Sequence, residues 1–327
     1  MKSDINLVTR EIAGLVLQDL EDFESLYLEQ LSEDLSDIDP ILGKLRGVRG
    51  KRLRPLILFL CQGMTDSNHP GRIRMALILE LLHLISIIHD DVVDGSDLRR
   101  GSETLNVSEG NQIAVLTGDF LMAKVLSLGL EAGDDVIRKV SACVRIMTRG
   151  ELRHAIFSKG RRITVQECLD NIGEKTASLF QMAFELGGLP GAADSPVSGR
   201  LRRMGYAFGM AYQIRDDILD FIGQDSDMGK SPGQDLRNGF LTLPLIHALE
   251  NDSGNSRLRM EEKIRNGSIQ DADELRSYVL DHRGIEKSQE QASRFAGQAL
   301  VETGRFPDSP FRAALERMIR TSLVRST

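Results

Sequence analysis

IRMALILELLHLISIIHDDVV, residues 73–93, is the stretch on which the reading of this chain turns. It is apolar on almost every side as far as Ile88, broken only by charged or polar residues such as Glu80 and His83, and it ends in His89-Asp90-Asp91. A helix at a surface keeps one polar face, so this pattern predicts a helix buried at the centre of an all-helical domain. A second such stretch is MGYAFGMAYQIRDDILDFIG, residues 204–223, where Gly205 and Gly209 lie four apart and open one face to a close neighbour. Residues 5–35 carry an amphipathic stripe through Ile5, Val8, Ile12, Val16, Leu20, Phe23, Tyr27 and Leu31. Thr164-Val165-Gln166-Glu167 is a capping box that opens the helix carrying Lys175. Strand alternation and hairpin turn pairs are essentially missing, which makes the fold class all-α. The loops 64–71, 187–199, 224–239 and 251–256 are rich in Gly, Pro, Asp and Ser but have neither the length nor the bias of an interdomain linker. Residues 1–327 therefore read as a single domain.

With 41% hydrophobic and 27% charged residues, the 327-residue chain can bury a substantial core. Its net charge of -7 argues against a general nucleic-acid binder, which needs a basic face. Cys61, Cys143 and Cys168 are scattered, without CxxC spacing, and read as small buried hydrophobes in a reducing compartment. The N-terminus has acids throughout its first apolar segment and no small-residue cleavage site, so it does not read as a signal peptide. The best candidate for crossing a membrane, residues 75–88, is too short and too polar. The expectation is a cytoplasmic protein with no transmembrane segment.

One repeat is chemical in nature. Asp90-Asp91-Val92-Val93-Asp94 recurs 126 positions later as Asp216-Asp217-Ile218-Leu219-Asp220, each copy at the C-terminal end of an apolar helix. Residues i and i+4 of a helix project from one face about 6 Å apart, so Asp90 with Asp94, and Asp216 with Asp220, form chelating pairs. Clustered carboxylates there suffer mutual repulsion, desolvation and the unfavourable end of the helix dipole. A hard divalent cation offsets all three, and Mg²⁺ characteristically bridges one or two carboxylates to substrate phosphates. A single aspartate run is as often a solvated helix end; two copies behind two buried helices favour the metal, and EF-hand calcium spacing is missing. Cations to match a phosphate follow closely: Arg99 and Arg100 after the first array, Lys230 after the second, and the cluster Gly50-Lys51-Arg52-Leu53-Arg54-Pro55. On its own GKRLRP is a weak signal, usually a solvated basic turn.

From about residue 40 to 250 these residues resemble a known family. GKRLRP, ELLHLISIIHDDVVDGSDLRRG, Thr104-Leu105-Asn106, Gly118-Asp119-Phe120-Leu121, Lys175-Thr176-Ala177, YQIRDDILDF and GKSPGQDLRNGFLTLPLI occur in the order seen in the trans-prenyl diphosphate synthases, most like the long-chain polyprenyl and octaprenyl enzymes. The resemblance implies an isoprenoid-synthase-type helical bundle around a central apolar cavity, with the two aspartate motifs at its mouth. It implies Mg²⁺ on Asp90, Asp94 and Asp216, with Asp91, Asp217 and Asp220 supporting the metal shell. Arg99, Lys175 and Lys230 would contact the allylic diphosphate (dimethylallyl, geranyl or farnesyl), Thr176 and Gln213 would also bind substrate, with Gln213 supporting the metal shell, and Lys51, Arg54, His83 and Arg100 would hold the isopentenyl diphosphate. The implied reaction is head-to-tail condensation of the two, and the implied assembly is a homodimer. A lone histidine on an apolar helix is ordinarily a satisfied core group, and a mid-helix lysine a solvated one. For His83 the position seven residues before Asp90, and for Lys175 the neighbouring Thr176 and the family match, favour ligand contact.

Two departures stand out. Relatives often read G-K-x-T-L-P where this chain has Gly239-Phe240-Leu241-Thr242-Leu243-Pro244, and often carry a glutamine where it has His154 in Gly150-Glu151-Leu152-Arg153-His154. Product length should depend on residues one turn below the first array, Ile85 and Ser86, where short-chain farnesyl synthases often place an aromatic ring. Ile85 is bulkier than the alanine often found there, which leaves a short- to medium-chain product as the alternative. Met122 and Leu126 are candidate floor residues, though ordinary core suits each better. A non-catalytic subunit of a heteromeric synthase is a further alternative; such subunits usually degrade one aspartate motif, and both are intact here. A terpene cyclase fits less well, because DDILD is not the usual second metal motif of that class.

Overall fold

The computed structural model describes residues 11–33, 35–47, 50–99, 101–157, 162–189, 195–222, 241–265 and 272–323. The described elements are helices α1 (Leu17–Gln30), α2 (Asp39–Arg46), α3 (Leu53–Thr65) and α4 (Arg72–Val93), a hairpin of β1 (Leu98–Arg99) and β2 (Ser102–Glu103), then α5 (Leu105–Glu109), α6 (Asn111–Ala132), α7 (Asp134–Phe157), α8 (Val165–Ile172), α9 (Ser178–Gly187), α10 (Pro196–Ile222), α11 (Leu243–Asn251), α12 (Asn255–Arg265), α13 (Ala272–Asp281), α14 (Gly284–Thr303) and α15 (Pro310–Leu323). The all-α expectation is met apart from the hairpin, which strand periodicity cannot reveal because each strand is two residues long.

Contacts divide the chain into two compact units, each assembled from separate stretches of sequence. The first comprises residues 1–144, 179–205 and 302–318; the second comprises 145–178, 206–301 and 319–327.

In the first unit α4 is the central element, buried without a break from Met75 to Leu82. Against it pack α1, α3 and one face of α6. Burial of each Leu, Ile or Phe here contributes about 1.5–3 kcal/mol, so the apolar run that identified α4 is also what seats it. In the described part of the N-terminal stripe Ile12, Val16, Phe23, Tyr27 and Leu31 are buried and Leu20 is half-buried. At Gly14 the helix tightens into a 3₁₀ turn before α1 begins. Gly205 sits so close to α9 that a Cβ there would lie 2.8 Å from the Gln181 backbone. Among the described residues it is α6, 22 residues long, rather than residues 75–88 that is long and apolar enough to cross a membrane by length and composition. In this unit α6 buries Ala114, Leu121, Val125 and Leu128 and exposes Leu116, Leu126 and Leu130. Leu126, at 47% exposure, is not part of the core of this unit.

In the second unit one apolar cluster joins α8, the lower half of α10, α11 and α13 through residues such as Ile172, Ile214, Ile218, Leu245 and Val279. The Thr164 capping box forms as expected: its hydroxyl accepts from Glu167 N–H at 3.2 Å, and the Glu167 carboxylate accepts from Thr164 N–H at 3.0 Å. All three cysteines are buried, free thiols, and burial pushes those of Cys61 and Cys168 well up.

Candidate active site

The first aspartate array occupies the last turn of α4, and the residues that follow explain why the helix stops there. Gly95 takes the left-handed conformation, φ 61°, that a residue with a Cβ adopts only at a cost. Ser96 N–H then donates to the Asp91 carbonyl at 2.9 Å and Gly95 N–H to Val92 at 3.4 Å, the double closure of a Schellman end. Asp90 and Asp94 are left half-exposed, while Asp91 is buried at 5%. A buried carboxylate needs a partner, and Arg99 supplies it: Nε and Nη2 donate to Asp91 Oδ1 at 2.8 and 2.6 Å. Arg99 reaches it from β1, paired with Ser102 across the hairpin. The segment Thr104-Leu105-Asn106 ties the loop down, since Thr104 Oγ1 donates to Ser96 O at 2.7 Å and Asn106 Nδ2 to the same oxygen at 3.2 Å.

Elsewhere in this unit Lys51 is exposed at the start of α3, and the Arg54 guanidinium carbon lies 4.6 Å from the centre of the Phe180 ring. His83 is half-buried on α4 and its carbonyl accepts from Ser86 Oγ at 2.8 Å, while Ile85 is 4% exposed. A groove of about 470 Å³, lined by Glu29, Glu33, Arg74, Phe120 and Lys124 among others, contains none of the expected site residues.

The second array ends α10 and divides its carboxylates in the same sense. Asp216 is exposed, while Asp217 and Asp220 are 7% and 5% exposed. Asp217 Oδ1 accepts from Gln213 Nε2 at 2.8 Å, and the other end of that amide, Oε1, accepts from Thr176 Oγ1 at 2.9 Å. The sequence therefore named three residues, Thr176, Gln213 and Asp217, that the fold connects in one chain of hydrogen bonds. It did not foresee the π-helical turn over Gly173–Ala177 that presents Lys175 and Thr176 between α8 and α9. Such wide turns recur at functional sites because they offset side chains from the regular helical positions. Gly150 permits it: a Cβ on that residue would stand 2.8 Å from Lys175 N.

Lys175 Nζ pairs with Glu151 Oε1 at 2.7 Å, a contact not assigned from sequence. Glu174 receives Arg149 and Arg153 at 2.8 and 3.3 Å. His154, which departs from the family glutamine, lies within 3.4 Å of Asn171 Nδ2 through its Nδ1. Burial, followed by the charge of Lys175, pulls its pKa down to about 4, so the ring is neutral at pH 7. A neutral imidazole accepting at Nδ1 carries its proton on Nε2 and can donate there, as a glutamine amide would.

The donor set suits a hard divalent ion in the manner of Mg²⁺. Among the described residues no three His, Cys, Asp or Glu side chains converge as an all-protein cage. Mg²⁺ does not require one, since it retains waters and completes its shell with substrate phosphate oxygens. Asp90, Asp94 and Asp216 are the aspartates of the two arrays with carboxylates that are not buried. Arg100, Lys230 and Phe240 lie outside the described residues.

Comparison with known proteins agrees with this chemistry. The polyprenyl synthetase family pattern matches residues 38–280. The nonaprenyl diphosphate synthase of Mycobacterium tuberculosis is 33% identical over 303 residues, 91% of this chain and 89% of that protein. The octaprenyl diphosphate synthase of Escherichia coli is 30% identical over 307 residues, 93% of this chain and 95% of that one. A polyprenyl synthase from Caulobacter crescentus, solved in complex with calcium and isoprenyl diphosphate, matches with a TM-score of 0.91 at 28% identity, covering 97% of this chain and 98% of its own. With the family pattern running through stretches of both units and its relatives matched over nearly their whole length, the chain belongs to the polyprenyl synthetase family and is a trans-prenyltransferase.

Proposed function

We propose that this enzyme condenses isopentenyl diphosphate head-to-tail with an allylic diphosphate and releases a long-chain all-trans polyprenyl diphosphate. The observation that carries the reading is the division of labour within both D-D-x-x-D arrays. In each, the buried second aspartate is engaged by a neighbouring side chain, Arg99 or Gln213, while Asp90, Asp94 and Asp216 keep accessible carboxylates. In this proposal those three hold Mg²⁺, with Asp91, Asp217 and Asp220 supporting them. Bound Mg²⁺ would neutralise the allylic diphosphate and stabilise it as a leaving group.

Arg99, Lys175, Thr176, Gln213 and Lys230 orient that diphosphate so that the allylic C–O bond breaks with its electron pair staying on oxygen. Lys51, Arg54, His83 and Arg100 hold the isopentenyl diphosphate by direct contact, without metal, which suits the diphosphate that remains attached. Lys51 and Arg54 flank the N-terminus of α3, where backbone N–H groups also favour an anion. The double bond of isopentenyl diphosphate then attacks the allylic cation, and the proton lost passes to the departing diphosphate. An apolar cavity of the kind the family resemblance implies would exclude water from the cation. Long products are supported by the absence of an aromatic ring at Ile85 and Ser86 and by the octaprenyl and nonaprenyl relatives. For the assembly we propose a homodimer in which a second copy covers the exposed apolar face of α6, and for the compartment the cytoplasm, where buried free thiols persist.

The test is chain-length analysis of products made by the purified chain from farnesyl and isopentenyl diphosphates with Mg²⁺. The expected product has about eight or nine isoprene units, the lengths carried in the names of its relatives, and chelation stops the reaction. Ile85→Ala should lengthen the distribution and Ile85→Phe shorten it. A wild-type product of three or four units would establish the short-chain alternative. Turnover only after a second protein is added would establish the subunit alternative.

A further inference from the structure

Arg52 stands between Lys51 and Arg54, yet its side chain turns inward. Nε and Nη2 donate to the two carboxylate oxygens of Glu24 at 3.1 and 2.9 Å, and Nη1 donates to Glu80 Oε1 at 2.9 Å. Its guanidinium carbon lies 4.1 Å from the centre of the Tyr27 ring and 5.9 Å from that of Phe23. Glu24, Tyr27 and Phe23 belong to α1 and Glu80 to α4, so one guanidinium joins the start of α3 to both helices packed on it. Glu80 is buried at 5%, the exception in the run that defines α4, and it stands three residues before His83 on the same helical face. The backbone of Arg52 is left-handed, φ 48° and ψ 36°, a conformation that residues with a Cβ avoid unless their surroundings over-determine it. Here the surroundings are a two-oxygen fork, a buried carboxylate and two aromatic rings.

We infer that Arg52, clamped by Glu24 and Glu80, is a positioning residue for the isopentenyl diphosphate subsite. The left-handed residue sets the angle between the loop bearing Lys51 and the helix bearing Arg54, and the clamp holds it there. This inference rests on the proposed assignment of Lys51 and Arg54 to that subsite. Because that subsite uses no metal, its affinity depends on where its side chains point, Lys51 and Arg54 among them. The allylic diphosphate, gripped through the aspartate arrays, is insulated from the clamp.

Steady-state kinetics of the full-length enzyme with Mg²⁺ tests this. Isopentenyl diphosphate is varied at saturating farnesyl diphosphate, and then the reverse. The variants are Glu24→Gln, Arg52→Lys, Lys51→Ala and Arg54→Ala, each with its thermal unfolding midpoint. Glu24→Gln and Arg52→Lys should raise KM for isopentenyl diphosphate about tenfold, within the roughly hundredfold that an ångström-scale misplacement can cost. KM for farnesyl diphosphate and kcat should stay within about twofold. Arg52→Lys keeps the charge but cannot span two carboxylates. Glu24, 43% exposed, can be neutralised without opening a cavity, so Glu24→Gln keeps the test sharp should the Arg52 variant unfold. An unchanged KM for isopentenyl diphosphate in folded Glu24→Gln, or an equal rise in both KM values, overturns the clamp while leaving the subsite standing if Lys51→Ala and Arg54→Ala raise that KM. If those two leave it unchanged, the subsite assignment fails and the clamp fails with it.

Discussion

At the end of α4 the buried aspartate, Asp91, is met by a guanidinium that arrives from a hairpin eight residues further on. At the end of α10 its counterpart, Asp217, is met by the amide of Gln213, one turn back on the same helix and fixed at its far end by Thr176. The first arrangement balances charge; the second fixes direction. A carboxylate paired with Arg99 loses an ionic partner when that pair is cut, whereas one paired with Gln213 loses only a neutral hydrogen bond, typically worth about 1 kcal/mol. The same five-letter pattern is therefore supported by two kinds of interaction, and the two should fail differently.

The largest effect should come from what the arrays share. Asp90→Ala and Asp216→Ala should each lower kcat by about a thousandfold or more, because each removes an accessible carboxylate proposed to hold Mg²⁺. Near-normal turnover in either would refute the ligand assignment. Next in size, Asp91→Asn should lower kcat/KM by about ten- to a hundredfold and weaken apparent Mg²⁺ affinity, since it unbalances Arg99 as well as the metal shell. Thr176→Val should cost about tenfold or less and leave the Mg²⁺ dependence near wild type. Equal losses in these two variants would erase the distinction between the arrays.

A separate effect concerns stability. His154 titrates at about 4 in the folded chain and near 6.5 when unfolded, so between these values the unfolded chain takes up a proton that the folded chain refuses. Stability should therefore fall as pH drops from about 6.5 to about 4, by as much as about 3 kcal/mol, and His154→Gln should flatten that part of the profile. Urea unfolding at several pH values measures it, and an identical slope in the variant would show that His154 is not the group responsible.

Much of this could be read in advance because it is local. Burial of α4 and the lower part of α10, the capping box at Thr164 and the spacing of the aspartates all follow from helical periodicity. The Gly95 that ends α4 is visible beside Asp94, and even the Thr176-Gln213-Asp217 chain was named residue by residue, though without its connections. What escaped notice depends on partners far along the chain. Local spacing within GKRLRP does not separate Arg52 from Arg54, yet one turns in toward Glu24 and Glu80 and the other lies against Phe180. Leu126 and Val125 are adjacent apolar residues of α6, one exposed and one buried, and only the position of α4 tells them apart.

The sequence by itself determined the helices, the carboxylate arrays and the stock of cations, because spacing along a helix decides which side chains share a face. Tertiary structure decided which distant charged groups meet. Arg99 is engaged by Asp91 and Arg52 by Glu24 and Glu80. The physical reason is desolvation: a buried carboxylate must find a cation or an amide wherever the packed helices bring one, and that meeting is a property of the fold rather than of neighbouring letters.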